Sequence, residues 1–286
     1  MALVESLRDE LPNVREVIRL DNWVGFCARA VTGPQQALPA LSARNSVVIQ
    51  YTSGTTGAPK GAVLHRYGLV NAGQFIAERI ERQPGDIWLN PLPLFHTGGC
   101  VMGTLGAMAS SGTLIVMREF DPALMLRLIE EERPSYAICV PTMIIALLEH
   151  RDFATRDTSS LRLFSSGATT VPPDLVRRIE SEFNVIYNMV MGQTESSSVI
   201  FMTRLDSTTQ QKAQTLGVPL LHWETKIPDE QGSPVAIGEA GELCVRGWGG
   251  PRPPPQPLTP TDGCTLVTSR PWTPTGSPPS RDGSKT

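Results

Sequence analysis

The sequence predicts a layered α/β domain, followed by a small β-rich segment and an irregular tail. Three observations predict it. Short β-branched or apolar runs alternate with helical stretches from Ser46 to Met189, the order expected of strands covered by helices. Glycine- and proline-bearing loops punctuate them. After Thr215 the texture shifts to short extended runs. Ligands in layered α/β folds gather beyond the C-terminal ends of strands, so the connecting loops are where function is sought.

Ser46 to Tyr51 (Ser-Val-Val-Ile-Gln-Tyr) is predicted as a strand ending in the loop Thr52-Ser-Gly-Thr-Thr-Gly-Ala-Pro-Lys-Gly61. A strand over Ala62 to Leu64 and a helix over Tyr67 to Arg82 follow. Asp86 to Asn90 is strand-like and leads to Pro93-Leu-Phe-His-Thr-Gly-Gly99. A helix over Gly99 to Ala109 then precedes a strand from Gly112 to Met117. Asp121-Pro122 starts a helix to about Glu132, because Asp caps free amides and Pro fits the first turn. Leu124, Leu128 and Ile129 supply its apolar face.

Tyr136 to Val140 is the next strand, and Thr142 to Glu149 is a helix behind Pro141. Leu161 to Ser165 is a strand before Ser166-Gly-Ala168. Pro172-Pro173 opens a helix to about Phe183, and Val185 to Met189 leads into Met191-Gly-Gln-Thr-Glu195. Further on, His222 to Ile227 and Glu242 to Arg246 are predicted strands joined by the turn Pro228-Asp-Glu-Gln-Gly232. Ten of the chain's 25 prolines fall after Gly250. That density removes amide donors and predicts disorder there. The organisation is therefore 1–214 as the α/β part, 215–250 as its β-rich end and 251–286 as the tail.

Composition narrows the function classes. The 286 residues, 40% hydrophobic and 19% charged, can bury a sizeable core. A net charge of -3 argues against a general nucleic-acid binder, which needs a basic excess. Five scattered cysteines and four histidines show no metal spacing, and predict reduced, buried thiols in a cytoplasmic protein. The N-terminus carries acids too early for a signal peptide. The most apolar stretch, Cys100 to Met117, is broken by Gly103, Gly106 and Gly112. It predicts a buried helix running into a strand, with no transmembrane segment.

The loop after the first strand carries the strongest chemical signal. Thr52, Ser53, Thr55 and Thr56 place four hydroxyls in one short segment. Gly54, Gly57 and Gly61 let the backbone turn tightly and present amides. Lys60 adds a mobile positive charge. Such donors can wrap a triphosphate, whose charge is spread over several oxygens. The spacing is not that of a Walker A loop, since Lys60 follows Gly57 by three residues and Gly61 stands where Ser or Thr belongs. A plain Gly/Ser/Thr surface loop is the competing account of the same residues.

Tyr51-Thr-Ser-Gly-Thr-Thr-Gly-Ala-Pro-Lys-Gly61 closely resembles the signature of the AMP-forming acyl-CoA synthetase, or adenylate-forming, superfamily. Three segments in the family's order add to it. Pro93-Leu-Phe-His-Thr-Gly-Gly99 resembles its histidine motif, Ser166-Gly-Ala168 the segment lining adenine, and Gly192-Gln-Thr-Glu195 the motif contacting phosphate and magnesium. Thr215-Leu-Gly217 and Gly238-Glu-Ala-Gly-Glu-Leu-Cys-Val-Arg-Gly247 resemble the end of the family's large domain. The histidine motif is most similar to that of ligases acting on fatty or related carboxylic acids.

The resemblance implies an ATP-dependent carboxylic acid–CoA ligase. It forms an acyl-adenylate and then an acyl-CoA, with ATP, Mg2+ and coenzyme A as its small-molecule requirements. It implies candidate catalytic residues Lys60, His96, Thr194 and Glu195, with Glu195 on magnesium and His96 in the acyl pocket. Thr52, Ser53, Gly54, Thr55, Thr56, Gly57 and Lys60 would hold the phosphates. Ser166, Gly167, Ala168, Met191, Gly192, Gln193 and Thr194 would complete the nucleotide site. Met191 departs from the pattern, which has an aromatic there, and a thioether packs on adenine without ring stacking. For each position a bland reading stays open: a structural histidine at 96, a surface acid at 195, and a tight turn at 166–168.

The same resemblance covers only about residues 45 to 247. It implies that part of the large adenylation domain precedes the phosphate loop in other members, and that a small C-terminal domain with a catalytic lysine follows. The Thr-Gly-Asp ribose motif is absent after Gly247. Back-translated with permissible codons and read one nucleotide over, Asp262 to Thr273 yields Leu-His-Thr-Gly-Asp-Leu-Ala-Thr-Met-Asp, which implies a frameshift after about Trp248. On this basis a truncated ligase is expected, with turnover by this chain left open between an active and an inactive form. A nucleotide-binding remnant or interaction module, or an adenylation domain that loads a carrier protein, are the alternatives.

Overall fold

The computed structural model describes residues 6–10, 12–14, 16–18, 20–32, 40–52, 59–229, 231–239, 241–249 and 265–267. The chain divides into two compact units, Met1–Leu41 and Ser42–Thr286. The boundary expected at 214/215 falls inside the second of them. In the first unit, short 3-10 turns at Arg8–Glu10 and Leu20–Asn22 precede helix α1, Trp23–Thr32. There Arg29 pairs with Glu16 at 2.7 Å and lies over the Phe26 ring.

The second unit is built on a seven-stranded sheet in the order β4-β3-β5-β6-β7-β8-β9. Its strands are β3 (Ile87–Asn90), β4 (Thr113–Val116), β5 (Tyr136–Cys139), β6 (Leu163–Ser166), β7 (Ile186–Gln193), β8 (Ser198–Met202) and β9 (Val218–Pro219). The first five run parallel, and β8 and β9 continue the sheet antiparallel. Alternation along each strand feeds two cores. Trp88, Tyr136, Ile138 and Leu163 pack under helix α2 (Arg66–Arg79) and the π-helical stretch Gly98–Leu105 that continues into α3 (Gly106–Ala109). Leu89, Ala137, Cys139 and Phe164 pack under α4 (Pro122–Glu132), α5 (Pro141–Leu148) and α6 (Pro173–Phe183). The result is a sheet between two helical layers, as the alternating pattern predicts.

Local chemistry sets the helix ends. Asp121 accepts from the Leu124 amide at 2.7 Å, and Pro122 occupies the first turn. The left-handed Arg133 at φ 49° and Asn184 at φ 53° close α4 and α6. The predicted helix over Gly99 to Ala109 opens with a π-helical stretch, a detail that period alone does not reveal.

Two further sheets flank the main one. Strand β1 (Ser46–Thr52) pairs antiparallel with β2 (Lys60–His65) as a separate hairpin. Strands β10 (Glu224–Lys226), β11 (Leu243–Arg246) and β12 (Thr265–Val267) form the third sheet. The turn between the first two of these contains Gly232, whose amide bonds the Asp229 carbonyl. Trp223, Trp248 and Phe75 cluster with ring centroids 5.1 and 5.5 Å apart, and the Trp248 indole donates to Leu221 at 2.9 Å. These contacts join the small sheet to α2.

Four expectations need correction. Thr265–Val267 lies in the tail expected to be disordered, yet it pairs with Leu243–Val245, because this short run lacks proline and is β-branched at two of three positions. The remainder of the tail lies outside the described residues. Strands β8 and β9, and helix α7 (Thr209–Gln214) with its capping box at Thr208 and Gln211, were not anticipated between 198 and 219. Cys27 is exposed and Cys100 half-buried, whereas Cys139 and Cys244 are buried as expected. Cys264 is outside the described residues. Strand β7 runs through Gln193, so Met191 to Gln193 are strand residues instead of loop. An antiparallel partner, β8, extends the strand beyond the parallel sheet.

Candidate functional site

Two hairpins and two loops carry the residues singled out. In the first hairpin Thr52 pairs directly with Lys60, so the segment between them is the hairpin's connection. Ser53, Gly54, Thr55, Thr56 and Gly57 fall in that connection and lie outside the described residues. The two-residue alternation puts Thr52 and Lys60 on the same side as Gln50 and Leu64, which are 7% and 2% exposed. Lys60 is exposed at the mouth of the hairpin, on its core-facing side.

The second hairpin is β7–β8. Gln193 pairs with Ser198, and Thr194–Ser196 forms a 3-10 turn at its tip, closed by the Ser197 amide on the Thr194 carbonyl at 3.0 Å. Thr194 is buried and Glu195 exposed. Gly192 is required by a close approach: a Cβ there would stand 1.8 Å from the Ser198 carbonyl oxygen. Ser197 and Ser198 hold positive φ values of 64° and 117°, a conformation that costs a non-glycine residue about 1–3 kcal/mol each. Bonds repay part of it. The Ser196 hydroxyl donates to Gln193 O at 2.8 Å, and the Ser197 hydroxyl to Gly249 O at 3.2 Å. Gly68 of α2 comes so close to Ser197 that a Cβ would lie 2.5 Å from its hydroxyl.

Strand β2 packs against the Thr194–Ser196 turn. The hairpin bearing Lys60 and the turn bearing Glu195 are therefore neighbours, although more than 130 residues separate them in sequence.

The His96 loop leaves the C-terminal end of β3. His96 is exposed, and its Nδ1 accepts from the Gly98 amide at 2.9 Å. The neutral ring then carries its proton on Nε2 and can donate from that atom. Side chains from both hairpins reach this loop: Gln50 donates to the Phe95 carbonyl, and Ser198 donates to the Thr97 carbonyl at 3.4 Å.

Ser166 ends β6, buried and in register with Met189. A Cβ on the next residue, Gly167, would lie 2.4 Å from the Val190 carbonyl, so only glycine fits against β7. Ala168 is exposed at φ 72°. Beneath them burial pushes the Tyr187 phenol up to about 12, with the Ser166 hydroxyl opposing the shift. Tyr187 is therefore neutral throughout the physiological range. Met191 is half-buried and touches both cores, so its thioether also serves the fold.

Sequence reasoning did not single out Gln50 or Ser196 to Ser198. Gln50 carries a signal, being a polar residue at a core-facing position within a β-branched run. The serines carried none, since three consecutive serines read as loop.

The donor set suits a magnesium nucleotide. Glu195 supplies one hard, exposed carboxylate, and Mg2+ commonly takes one or two carboxylates, phosphate oxygens and several waters. Among the described residues no group of three His, Cys, Asp or Glu is arranged to hold a metal alone.

The family described as AMP-binding enzyme matches residues 2–250. The chain belongs to the AMP-binding enzyme family. "Putative acyl-CoA synthetase YngI" of Bacillus subtilis (strain 168) is 35% identical over 226 residues, 77% of this chain and 41% of its own length. "Medium-chain acyl-CoA ligase ACSF2, mitochondrial" of Homo sapiens is 35% identical over 215 residues, 73% of this chain and 35% of its own. The chain thus spans less than half the length of these curated relatives. Among solved structures, the inhibitor-bound N-terminal domain of FACL13 from Mycobacterium tuberculosis superposes with a TM-score of 0.69 at 26% identity, over 77% of this chain and 55% of that one. The anthranilate CoA ligase AuaEII in complex with anthranoyl-AMP shares the fold at TM-score 0.74 and 23% identity, over 86% of this chain and 48% of its own. Membership of the AMP-binding family and the α/β adenylation-domain fold agree with the resemblance carried by the motifs. No described helix is long and apolar enough to cross a membrane.

Proposed function

We propose that this AMP-binding chain is the acyl-activating part of an ATP-dependent carboxylic acid–CoA ligase acting on a fatty or related acid. The observation that supports this most is the packing of β2, with Lys60 at its start, against the Thr194–Ser196 turn. It sets the hairpin that carries Lys60 beside the turn that carries Glu195, inside a fold shared with known acyl-CoA ligases.

In the proposed reaction a carboxylate oxygen of the acid attacks the α-phosphorus of ATP. The bond from that phosphorus to the bridging oxygen breaks, pyrophosphate leaves, and an acyl-adenylate remains. The thiolate of coenzyme A then attacks the acyl carbon and AMP departs. A carboxylate needs no base at neutral pH, so the protein's part is positioning and charge neutralisation. Lys60, Thr52 and the hydroxyls of the connecting loop hold the β- and γ-phosphates. Glu195 and Thr194 hold Mg2+ and phosphate, and the ion supplies further charge neutralisation. Ser166 to Ala168, with Met191 to Gln193, line the adenine side. His96, donating from Nε2, faces the acid.

ATP–pyrophosphate exchange by the 286-residue chain with Mg2+ and a panel of aliphatic and aromatic acids tests this reading. Acid-dependent exchange is expected, reduced about 100-fold or more in Lys60→Ala and Glu195→Ala. A folded chain that binds ATP without exchange would instead be a nucleotide-binding protein that does not turn over. Exchange followed by transfer to a carrier protein and not to coenzyme A would make it a carrier-loading domain.

A further inference from the structure

His96 sits on an exposed loop, yet the carbonyls on both sides of it are held. The Gln50 amide, on β1 of the hairpin that carries Thr52 and Lys60, donates to the carbonyl of Phe95. The Ser198 hydroxyl, next to the tip turn of the hairpin that carries Thr194 and Glu195, donates to the carbonyl of Thr97 at 3.4 Å. These are the residues immediately before and after His96. Within the loop itself, the Gly98 amide fixes the imidazole through Nδ1.

We propose that Gln50 and Ser198 are positioning residues, which bracket His96 and hold its loop in register with both nucleotide-holding hairpins. The inference rests on the acyl-activating reading above and deepens it. It makes the alignment of acid with nucleotide depend on two side chains that touch neither.

Both residues bear the marks of a constraint that the fold alone does not demand. Gln50 is 7% exposed in a run otherwise made of Val, Ile and Tyr, and its Oε1 is buried without a partner. An apolar residue of similar size would remove that orphan acceptor, so stability does not explain the amide. Ser198 is 4% exposed and keeps a φ of 117°, although glycine would relieve the strain there. Strain held by a bonded side chain next to a functional loop is the pattern expected where position matters more than stability. Phe95, beside His96, is 83% exposed, so packing of its own side chain does not anchor the loop.

Gln50→Leu and Ser198→Ala remove the two bonds while keeping volume and backbone. Their affinities for AMP, and for a non-hydrolysable acyl-adenylate analogue with a sulfamoyl linkage, are compared with those of the unsubstituted chain, alongside thermal unfolding. Each substitution is expected to weaken the acyl-adenylate analogue about fivefold and to leave AMP binding unchanged, with melting lowered only by the loss of one hydrogen bond. In a His96→Ala background the same substitutions should have no further effect on the analogue, because they act through that ring. Equal losses for AMP and analogue, or losses that persist without His96, would overturn the positioning role. So would full retention of analogue binding. An unsubstituted chain that binds neither molecule would instead remove the acyl-activating reading, and this inference with it.

Discussion

Asp157 accepts from the Ser159 amide at 2.9 Å and from Arg133 at 2.9 Å. The Ser159 bonds, with the Arg133 guanidinium behind them, hold its carboxyl down to about 2. An unfolded Asp ionises near ~3.9. Its contribution is therefore present at neutral pH and is lost as pH falls from about 4 towards 2. Glu130 is depressed in the same direction, first by its bond to Arg156 and then by the Asp157 amide. The urea midpoint of the natural chain should fall across that window, and Asp157→Asn should flatten part of the fall. A difference between the two proteins that is constant from pH 7 to pH 2 would contradict the assignment. At this scale the sequence was informative wherever chemistry forced an unusual residue cluster. Lys60 is marked by the chemistry of its own loop, and Thr194 and Glu195 by the resemblance of their motif; the structure adds that β2 packs against the Thr194–Ser196 turn. Gln50 stands out as a polar residue at a core-facing position, but its bond and that of Ser198 could not be read from the sequence, since each reaches a backbone carbonyl, 45 and 101 residues away.

Strands β3, β5 and β6 are each preceded by a polar residue: Asp86, Ser135 and Arg162. Because these strands are parallel, the three meet at one end of the sheet. Asp86, 4% exposed, accepts from Ser135 Oγ at 2.6 Å, from the Gln83 amide at 2.7 Å and from Arg162 at 3.4 Å. Arg162 also donates to the Ile80 carbonyl at 3.1 Å, tying the end of α2 to the network. The His96 loop and Ser166 leave the opposite ends of β3 and β6. Asp86→Ala should then destabilise the fold by about 1–3 kcal/mol, since it removes a buried acceptor shared by the half-buried Arg162 guanidinium and Ser135 hydroxyl and by the Gln83 amide. Nucleotide affinity of the folded variant should be unchanged, measurable by urea titration beside AMP binding. A large loss of affinity at full folding would mean that the two ends of the sheet are coupled. Elements with a strong local period or cap, such as α4 behind Asp121-Pro122, were legible to within a residue or two. Strand β8 was not: its start is two positive-φ serines, and its apolar run of Val199 to Met202 is too short to separate strand from helix by period.

For the whole molecule, the layered order follows from alternation along each strand, but one consequence of the connectivity does not. The β1–β2 hairpin forms its own two-stranded sheet, and only its inner side, with Leu64 and Ala62, joins the core. Its outer side shows Val47, Ile49, Tyr51 and Val63, which are 46%, 64%, 72% and 56% exposed. Ile49 pairs with Val63, so these two stand side by side, and Tyr51 flanks the small Gly61. An apolar face on a hairpin that has no third strand among the described residues favours association of like surfaces. Concentration-dependent self-association is therefore expected, measured by light scattering during gel filtration. Ile49→Thr with Val63→Thr should reduce it, because threonine keeps the strand preference while removing apolar area. The melting temperature should hardly move, as neither side chain contributes to the core. Association of the same strength in the double variant would place the contact elsewhere on the molecule. Loss of AMP binding together with association would mean that the hairpin bearing Lys60 is itself ordered by that contact, which joins assembly to the nucleotide site.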